Sequence, residues 1–408
     1  MFGNWDDPLT PVKQQAQQTQ PATEPAAPAP QANPLLNEEP AELPIPVKAV
    51  EAVSIEPQTT EVGNDFSGQP LVNAEPVKAD DKRVVNGHAD INQLAPFKYP
   101  WAWEYFMNAN KNHWTPLDIN MAADVHDYHH KLTLEERHVY ENVLSYLTTS
   151  DILAMRNIGL AVMEKMSAPE LQIYQARQVY EESLHTWTYQ HCIETIGLDQ
   201  GEIYNRYRVV PEIHGKIQIA NNRLNSIMRA DIDLSDRDEL HNFLMAYIFF
   251  AAVFEGTWFY NGFSPIFSLQ RRGLMKGTAE QLQYIMRDEV LHASFGIRVA
   301  KQIMLEENIQ PDPAALKKMW DECLAAETAY AGYILRDPIL GYTKEDHVQQ
   351  YKFIANRRAR NLNLDEPYPD VQEPSLAWLD EQANLRKEKN FFETRVTEYQ
   401  TGGALNWD

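Results

Sequence analysis

Val179-Tyr180-Glu181-Glu182-Ser183-Leu184-His185 and Ile285-Met286-Arg287-Asp288-Glu289-Val290-Leu291-His292 are the two stretches on which the fold turns. Each sets a glutamate three residues before a histidine, and on a helix that spacing lets carboxylate and imidazole reach one metal ion. Both pairs fall near the middles of long helix-compatible segments, roughly 168–196 and 279–306. An acidic residue on an apolar stripe there is costly unless it is paired or bound to a cation. With 34 Glu and 12 His in 408 positions, chance supplies about one Glu-x-x-His pair, whereas the sequence holds three. The third, Glu135/His138, sits in the first turn after Thr133, where a carboxylate opposes the helix dipole, and it is read as capping.

Two single carboxylates complete the pattern. Asp151 follows Val143, Leu144 and Leu147 at helical spacing, which puts it on the apolar face of a segment over 134–165. Glu255 follows the unbroken apolar run Phe243–Phe254 in a segment over 236–261, so it is expected to be buried and either protonated or bound to a cation. Taken singly, each of these residues fits a buried salt bridge or a helix cap. Together, Asp151, Glu182 with His185, Glu255, and Glu289 with His292 reproduce the ligand pattern of ferritin-like dimetal bundles, one carboxylate from each of two helices and Glu-x-x-His from two more. Four carboxylates balance the charge of two divalent ions. Oxygen ligands with one imidazole per metal suit iron or manganese better than zinc, and spacing does not choose between those two.

The rest of the chain agrees with an all-α architecture. No run of alternating β-branched residues is bounded by hairpin turns, whereas Thr133-x-x-Glu136, Ser167-x-x-Glu170, Ser235-x-x-Asp238 and Thr278-x-x-Gln281 each resemble a capping box opening one of the four long helices. Further helices are expected near 98–110, 202–228, 313–335 and 343–361. Residues 1–80 hold 13 of the 25 prolines, three of the 43 aromatic side chains, three Lys, no Arg and 12 acidic residues. So little apolar surface cannot offset the entropy of ordering a backbone, so 1–85 is expected to be a disordered Pro/Ala/Gln-rich extension. A helical domain over 86–375 follows. The remainder, 376–408, is expected to be a flexible tail ending in Gly402-Gly403-Ala404-Leu405-Asn406-Trp407-Asp408, a glycine pair followed by an apolar docking tip.

A net charge of −22 argues against a surface that coats nucleic acid or anionic membrane, since such surfaces cluster Lys and Arg. Two cysteines, Cys192 and Cys323, make no disulfide framework, and no signal peptide is visible, which together make a cytoplasmic setting the expectation. The run Phe243–Phe254 is too short to span a bilayer and reads as a helix buried on all sides.

Tyr189 lies four residues after His185 and seven after Glu182, on the same helix face. Spacing by itself fits plain core packing; beside an oxygen-activating metal pair, a phenol is the nearby group easiest to oxidise by one electron. The metal motifs, Tyr189, the block Arg287-Asp288-Glu289-x-x-His292, and the stretches Asn92-Gln93-Leu94-Ala95-Pro96-Phe97-Lys98-Tyr99-Pro100-Trp101 and His113-Trp114-Thr115-Pro116 resemble the small subunit of class I ribonucleotide reductase over about residues 82–408.

That resemblance implies that Asp151, Glu182, His185, Glu255, Glu289 and His292 bind two irons that react with dioxygen and leave a stable radical on Tyr189. It also implies a homodimer and long-range radical transfer to a separate large subunit that reduces ribonucleotides to deoxyribonucleotides. Trp114, Asp288 and His185 would form the inner leg of that route and Tyr399 its exit, with Ala404–Asp408 docking on the large subunit. Trp114 as plain core, Asp288 as a partner of Arg287 and Tyr399 as an ordinary tail residue are the alternatives. Some relatives replace the aspartate with glutamate and the radical tyrosine with phenylalanine and use a manganese/iron pair. Retention of Asp151 and Tyr189 favours the di-iron tyrosyl version. Trp187 faces elsewhere and is given no role. A ferritin-like ferroxidase or a di-iron oxygenase is the competing function. The first needs no docking tail, and the second needs a cavity beside the metals that Phe254, Phe259 and Ile285 are expected to fill.

Overall fold

The structure, a computed structural model, describes residues 77–383. Tyr399 and the docking tip lie outside the described residues, as does the extension before residue 77. In chain order the helices are α1 (Pro100–Ala109), α2 (Ala122–His130), α3 (Leu134–Asn157), α4 (Pro169–Ile196), α5 (Gln200–Val209), α6 (Pro211–Asn225), α7 (Arg237–Ile248), α8 (Ser264–Arg271), α9 (Lys276–Glu306), α10 (Pro313–Ile334), α11 (Lys344–Asn361) and α12 (Ala377–Ala383). Among the described residues the only extended pairing is an isolated bridge between Ile339 and Tyr342. The architecture is a ferritin-like helical bundle. Its long rods are α3, α4, α9 and the segment that begins with α7, and each turns a buried face to the others.

Two rods change pitch. α3 continues through a wide π turn, Ile158–Val162, and α7 through a longer one, Phe249–Phe259, in which every residue is buried. The wider π register recurs at functional sites because it displaces side chains from α-helical positions; here it carries Glu255. Within it Thr257 donates to the Ala252 carbonyl, and Arg358 Nε donates to the Gly256 carbonyl at 2.7 Å. The apolar rod from Arg237 to Arg271 is long enough to cross a membrane but is buried in the bundle, as expected for Phe243–Phe254.

Helix ends depart from the expected signals in instructive ways. Thr133 and Glu136 do form a reciprocal capping box. Ser167 does not cap α4: its hydroxyl accepts from Gly87 N, and Glu170 accepts from the backbone N–H groups of Lys98 and Tyr99, so both are spent on the incoming chain. At α7 the cap is Asp236, which accepts from Asp238 N and Glu239 N, while Ser235 bonds to Asp233. Thr278 lies inside α9, whose first N–H groups are held from another helix, with Asp124 of α2 accepting from Gly277 N and Thr278 N at 2.8 and 2.7 Å. Thr343 and Asp346 make a capping box on α11 that the sequence reading passed over. The single helix expected over 202–228 is two, α5 and α6, because Pro211 cannot donate to the α5 ladder and starts a new helix after Val210, which caps both. No sequence signal marks α2, α8 or α12, the last of which falls in the stretch expected to begin the flexible tail.

The edges of the expected extension and tail are packed where they are described. Val84 and Val85 are fully buried, and Lys82, also buried, faces Glu170 at 3.6 Å. At the other end Leu376 and Leu379 are buried, and Leu376 N donates to Gln350. One glycine sets the distance between two rods: a Cβ on Gly296 of α9 would lie 2.5 Å from Ala251 Cβ, so only glycine lets α9 close on the π segment. Seven residues back along α9 from that contact is Glu289.

Candidate metal centre

The four rods bring Asp151 (α3), Glu182 and His185 (α4), Glu255 (π segment), and Glu289 and His292 (α9) into one place, all 0–1% exposed. They form two overlapping groups. Asp151, Glu182, His185 and Glu289 present one ligand atom each within 4.8 Å of one another, and so do Glu182, Glu255, Glu289 and His292. Glu182 and Glu289 are shared. Glu289 sends Oε1 to 3.2 Å from His185 Nδ1 and Oε2 to 3.4 Å from His292 Nδ1; Glu182 lies 3.7 and 3.1 Å from the same two nitrogens. Glu255 Oε2 is 3.6 Å from His292 Nδ1, and the imidazole centroids are 5.9 Å apart.

The donor set fits a pair of cations. Both carboxylate oxygens of Asp151, Glu182, Glu255 and Glu289 and the Nδ1 atoms of both histidines are buried without a hydrogen-bond partner. An uncompensated buried polar atom costs about 1–3 kcal/mol, more when charged, so ten converging ones call for cations or protons. The outward nitrogens, by contrast, are held. His185 Nε2 bonds Asp288 Oδ2 at 3.1 Å, and His292 Nε2 bonds Glu181 Oε2 at 2.9 Å. A carboxylate behind an imidazole is the usual means of aiming its other nitrogen at a metal.

Without metal the cluster retains protons. Burial pushes Asp151 and Glu255 well above the usual carboxylate range, and repulsion from Glu182 adds to it at both. Burial would depress the two imidazoles, but the surrounding carboxylates outweigh it and raise both, with Asp288, Glu182 and Glu289 acting on His185 and Glu182, Glu289 and Glu181 on His292. Metal entry must therefore displace protons.

The structure also places the other candidates. Tyr189 is fully buried with its hydroxyl unpartnered; burial raises its pKa, and Asp151 is the charge that acts on it most. Trp187, two residues earlier, is 44% exposed. Trp114 is buried and stacks on Tyr284 with centroids 5.4 Å apart and planes at 18°. Its indole N–H has no partner, so it makes no hydrogen bond to Asp288; that carboxylate's second oxygen accepts instead from Asn112 Nδ2 at 2.6 Å. Glu135/His138 is remote from the cluster in role: Glu135 is in the first turn of α3, and His138 bonds the Tyr333 carbonyl. Phe254, Phe259 and Ile285 are fully buried. A surface cavity of about 550 Å³ between α6, α7 and α10, lined by Arg223, Glu239, Met245 and Glu322 among others, touches none of the six.

Sequence reading missed Glu181, Arg177 and Asn112. Glu181 carried a usable signal: it adjoins Glu182 in a buried stretch and has an arginine four residues earlier. Asn112 carried none.

Fold and site define a class first, a ferritin-like helical bundle whose interior presents carboxylates and histidines suited to two metal ions. Residues 91–374 match the family model described as "Ribonucleotide reductase, small chain". The ribonucleoside-diphosphate reductase subunit beta of Chlamydia pneumoniae is 35% identical over 337 residues, 81% of this chain and 96% of that one. The small subunit of Dictyostelium discoideum is 30% identical over 326 residues, 79% and 90% of the two chains. The ribonucleotide reductase R2 subunit from Clostridium botulinum superposes with a TM-score of 0.65 at 24% identity, covering 74% of this chain and 94% of that one, a likeness of fold. The chain belongs to the ribonucleotide reductase small-chain family, the small subunit of class I ribonucleoside-diphosphate reductase.

Proposed function

We propose that Asp151, Glu182, His185, Glu255, Glu289 and His292 hold two irons, and that Tyr189 carries the stable radical that a large subunit uses to reduce ribonucleotides. The convergence of unpartnered ligand atoms beside a buried phenol carries this reading. When bound, the metal pair supplies the oxygen-dependent one-electron oxidation. The protein's own part is to exclude water around Tyr189, to leave its Oη free of competing hydrogen bonds, and to face that hydroxyl with Asp151, the acceptor for the phenolic proton. Glu182 and Glu289, which belong to both ligand groups, would serve both ions.

The route outward begins at His185 and Asp288, joined at 3.1 Å, and passes to Trp114 on its stack with Tyr284. Asn112, bonded to both Asp288 and the Tyr284 carbonyl, braces the step between them. Tyr399 and Ala404–Asp408, outside the described residues, would complete the route and dock on the large subunit. A cytoplasmic setting accords with two free, buried cysteines. The close-filled interior around Phe254, Phe259 and Ile285 favours this function over an oxygenase with its own substrate pocket.

The test is electron paramagnetic resonance after ferrous iron and oxygen are added to apo-protein. Wild type is expected to give a phenoxyl signal that Tyr189→Phe lacks, along with loss of reductase activity in the presence of the large subunit. A signal that survives the substitution removes Tyr189 from the reading.

Self-association has support on the outer face of α3 and α4. Ile152 and Leu160 on the α3 rod and Tyr180 and Trp187 on α4 are all exposed, and Ser183 bonds Met155 where the two helices meet. Exposed large apolar side chains on one helix pair are what an interface can bury. Sedimentation at micromolar concentration is expected to show a dimer for wild type and a monomer for the Tyr180→Glu, Trp187→Glu double variant. A variant that remains dimeric moves the interface elsewhere.

A further inference from the structure

The two histidines of the cluster are held from behind by different means. His185 leans on Asp288, whose other oxygen accepts from the neutral amide of Asn112. His292 leans on Glu181, whose other oxygen accepts from Arg177 Nε at 2.8 Å. Glu181 is fully buried, and the Arg177 side chain is 14% exposed, held over the Tyr180 ring at 4.8 Å with its NH2 group toward the carbonyls of Ala109 and Asn112 at 3.4 and 3.5 Å. The carboxylate behind His185 is thus braced by a neutral amide, whereas the one behind His292 is braced by a guanidinium.

A neutral imidazole has one N–H and one lone pair, and the partner of one nitrogen decides which the other presents. We propose that Glu181 is the positioning residue of the second metal position: by accepting from His292 Nε2–H it fixes the tautomer whose Nδ1 lone pair faces Glu182, Glu255 and Glu289. Arg177 holds Glu181 in the orientation that makes this bond. Without Glu181, the His292 proton can move to Nδ1, where it would oppose a cation, and the ring loses the contact that sets its plane. The position built on His185 keeps Asp288 and is spared. The inference rests on the dimetal reading and adds to it an asymmetry between the two positions.

The test titrates full-length apo-protein with Mn(II), read by calorimetry and by electron paramagnetic resonance. Wild type is expected to take two ions per chain and give a spin-coupled signal. Glu181→Ala is expected to keep one tight site and weaken the other by about 10–100-fold, the usual cost of losing an outer hydrogen-bond partner, with an uncoupled six-line signal at two equivalents. Glu181→Gln, whose amide oxygen can still accept from Nε2–H, is expected to restore most of the coupled signal. Two ions bound with unchanged affinity in Glu181→Ala would overturn the proposal, as would equal weakening of both sites. Failure of wild type to take two ions would instead overturn the dimetal reading on which it stands.

Discussion

Replacing Glu289 by alanine is expected to empty both metal positions together. Its two oxygens serve different histidines, at 3.2 Å from His185 Nδ1 and 3.4 Å from His292 Nδ1, and it belongs to both ligand groups. Asp151 and Glu255 belong to one group each, so alanine at either should weaken one position and leave the other. Loss of a direct ligand should exceed the roughly 100-fold penalty of losing an outer partner. Metal content per chain after dialysis reads the difference, and a Glu289→Ala protein that retains two ions at wild-type affinity would exclude the shared-carboxylate geometry. The same experiment reports on protons. Asp151, Glu255, His185 and His292 all have raised pKa values in the metal-free cluster, so wild type should release protons on taking up two divalent ions. Because binding releases protons, affinity should fall as the pH is lowered. Calorimetry in buffers of different ionisation enthalpy gives the count, and a value near zero would contradict it.

Replacing Glu327 by alanine is expected to destabilise the whole domain. Away from the metal cluster, Lys216 is completely buried, with Nζ 2.6 Å from Glu327 Oε2 and 3.7, 4.5 and 4.9 Å from the ring centroids of Tyr146, Tyr330 and Trp258. Glu327 also accepts from Asn261 and meets His347 Nε2 at 2.6 Å, and His347 in turn bonds Tyr342. Removing the carboxylate leaves a cation with only aromatic faces for company. Breaking one side of a buried pair costs about 3–5 kcal/mol. For a domain of this size that corresponds to a fall in Tm on the order of 10 °C, measurable by thermal denaturation. A change below about 1 kcal/mol would mean that the rings and water compensate the charge. Burial would raise the Glu327 pKa, but Lys216 and His347 outweigh it and hold the pKa at about 2, below the ordinary 4.5. Since the folded value is the lower one, this stabilisation is fully present above pH 4.5 and is lost as pH falls toward about 2.

The residues of the cluster were legible because each broke a rule that apolar helices otherwise obey. Glu255 stood at the end of twelve apolar residues, and Glu182 and Glu289 each preceded a histidine by one helical turn. Tyr189 was legible as a neighbour of His185 through the same periodicity. Asn112 was not, since it reaches Asp288 across 176 residues from a loop with no repeating pattern. Nor was the unpartnered indole N–H of Trp114, since nothing in the sequence shows that Asp288 accepts from Asn112.

Local chemistry, then, determined where the four long rods run, where carboxylates and imidazoles share a face, and how Thr133 with Glu136 starts α3. Those are properties of neighbours within one turn, and neighbours are written in order. Three features belonged to the folded chain only: the cap that Asp124 of α2 supplies to α9, the π register that carries Glu255, and the close approach at Gly296 that brings α9 onto it. Each arises from contact between rods far apart in the chain, where the partner that meets an orphan N–H or fills a groove is chosen by packing, and packing has no local spelling.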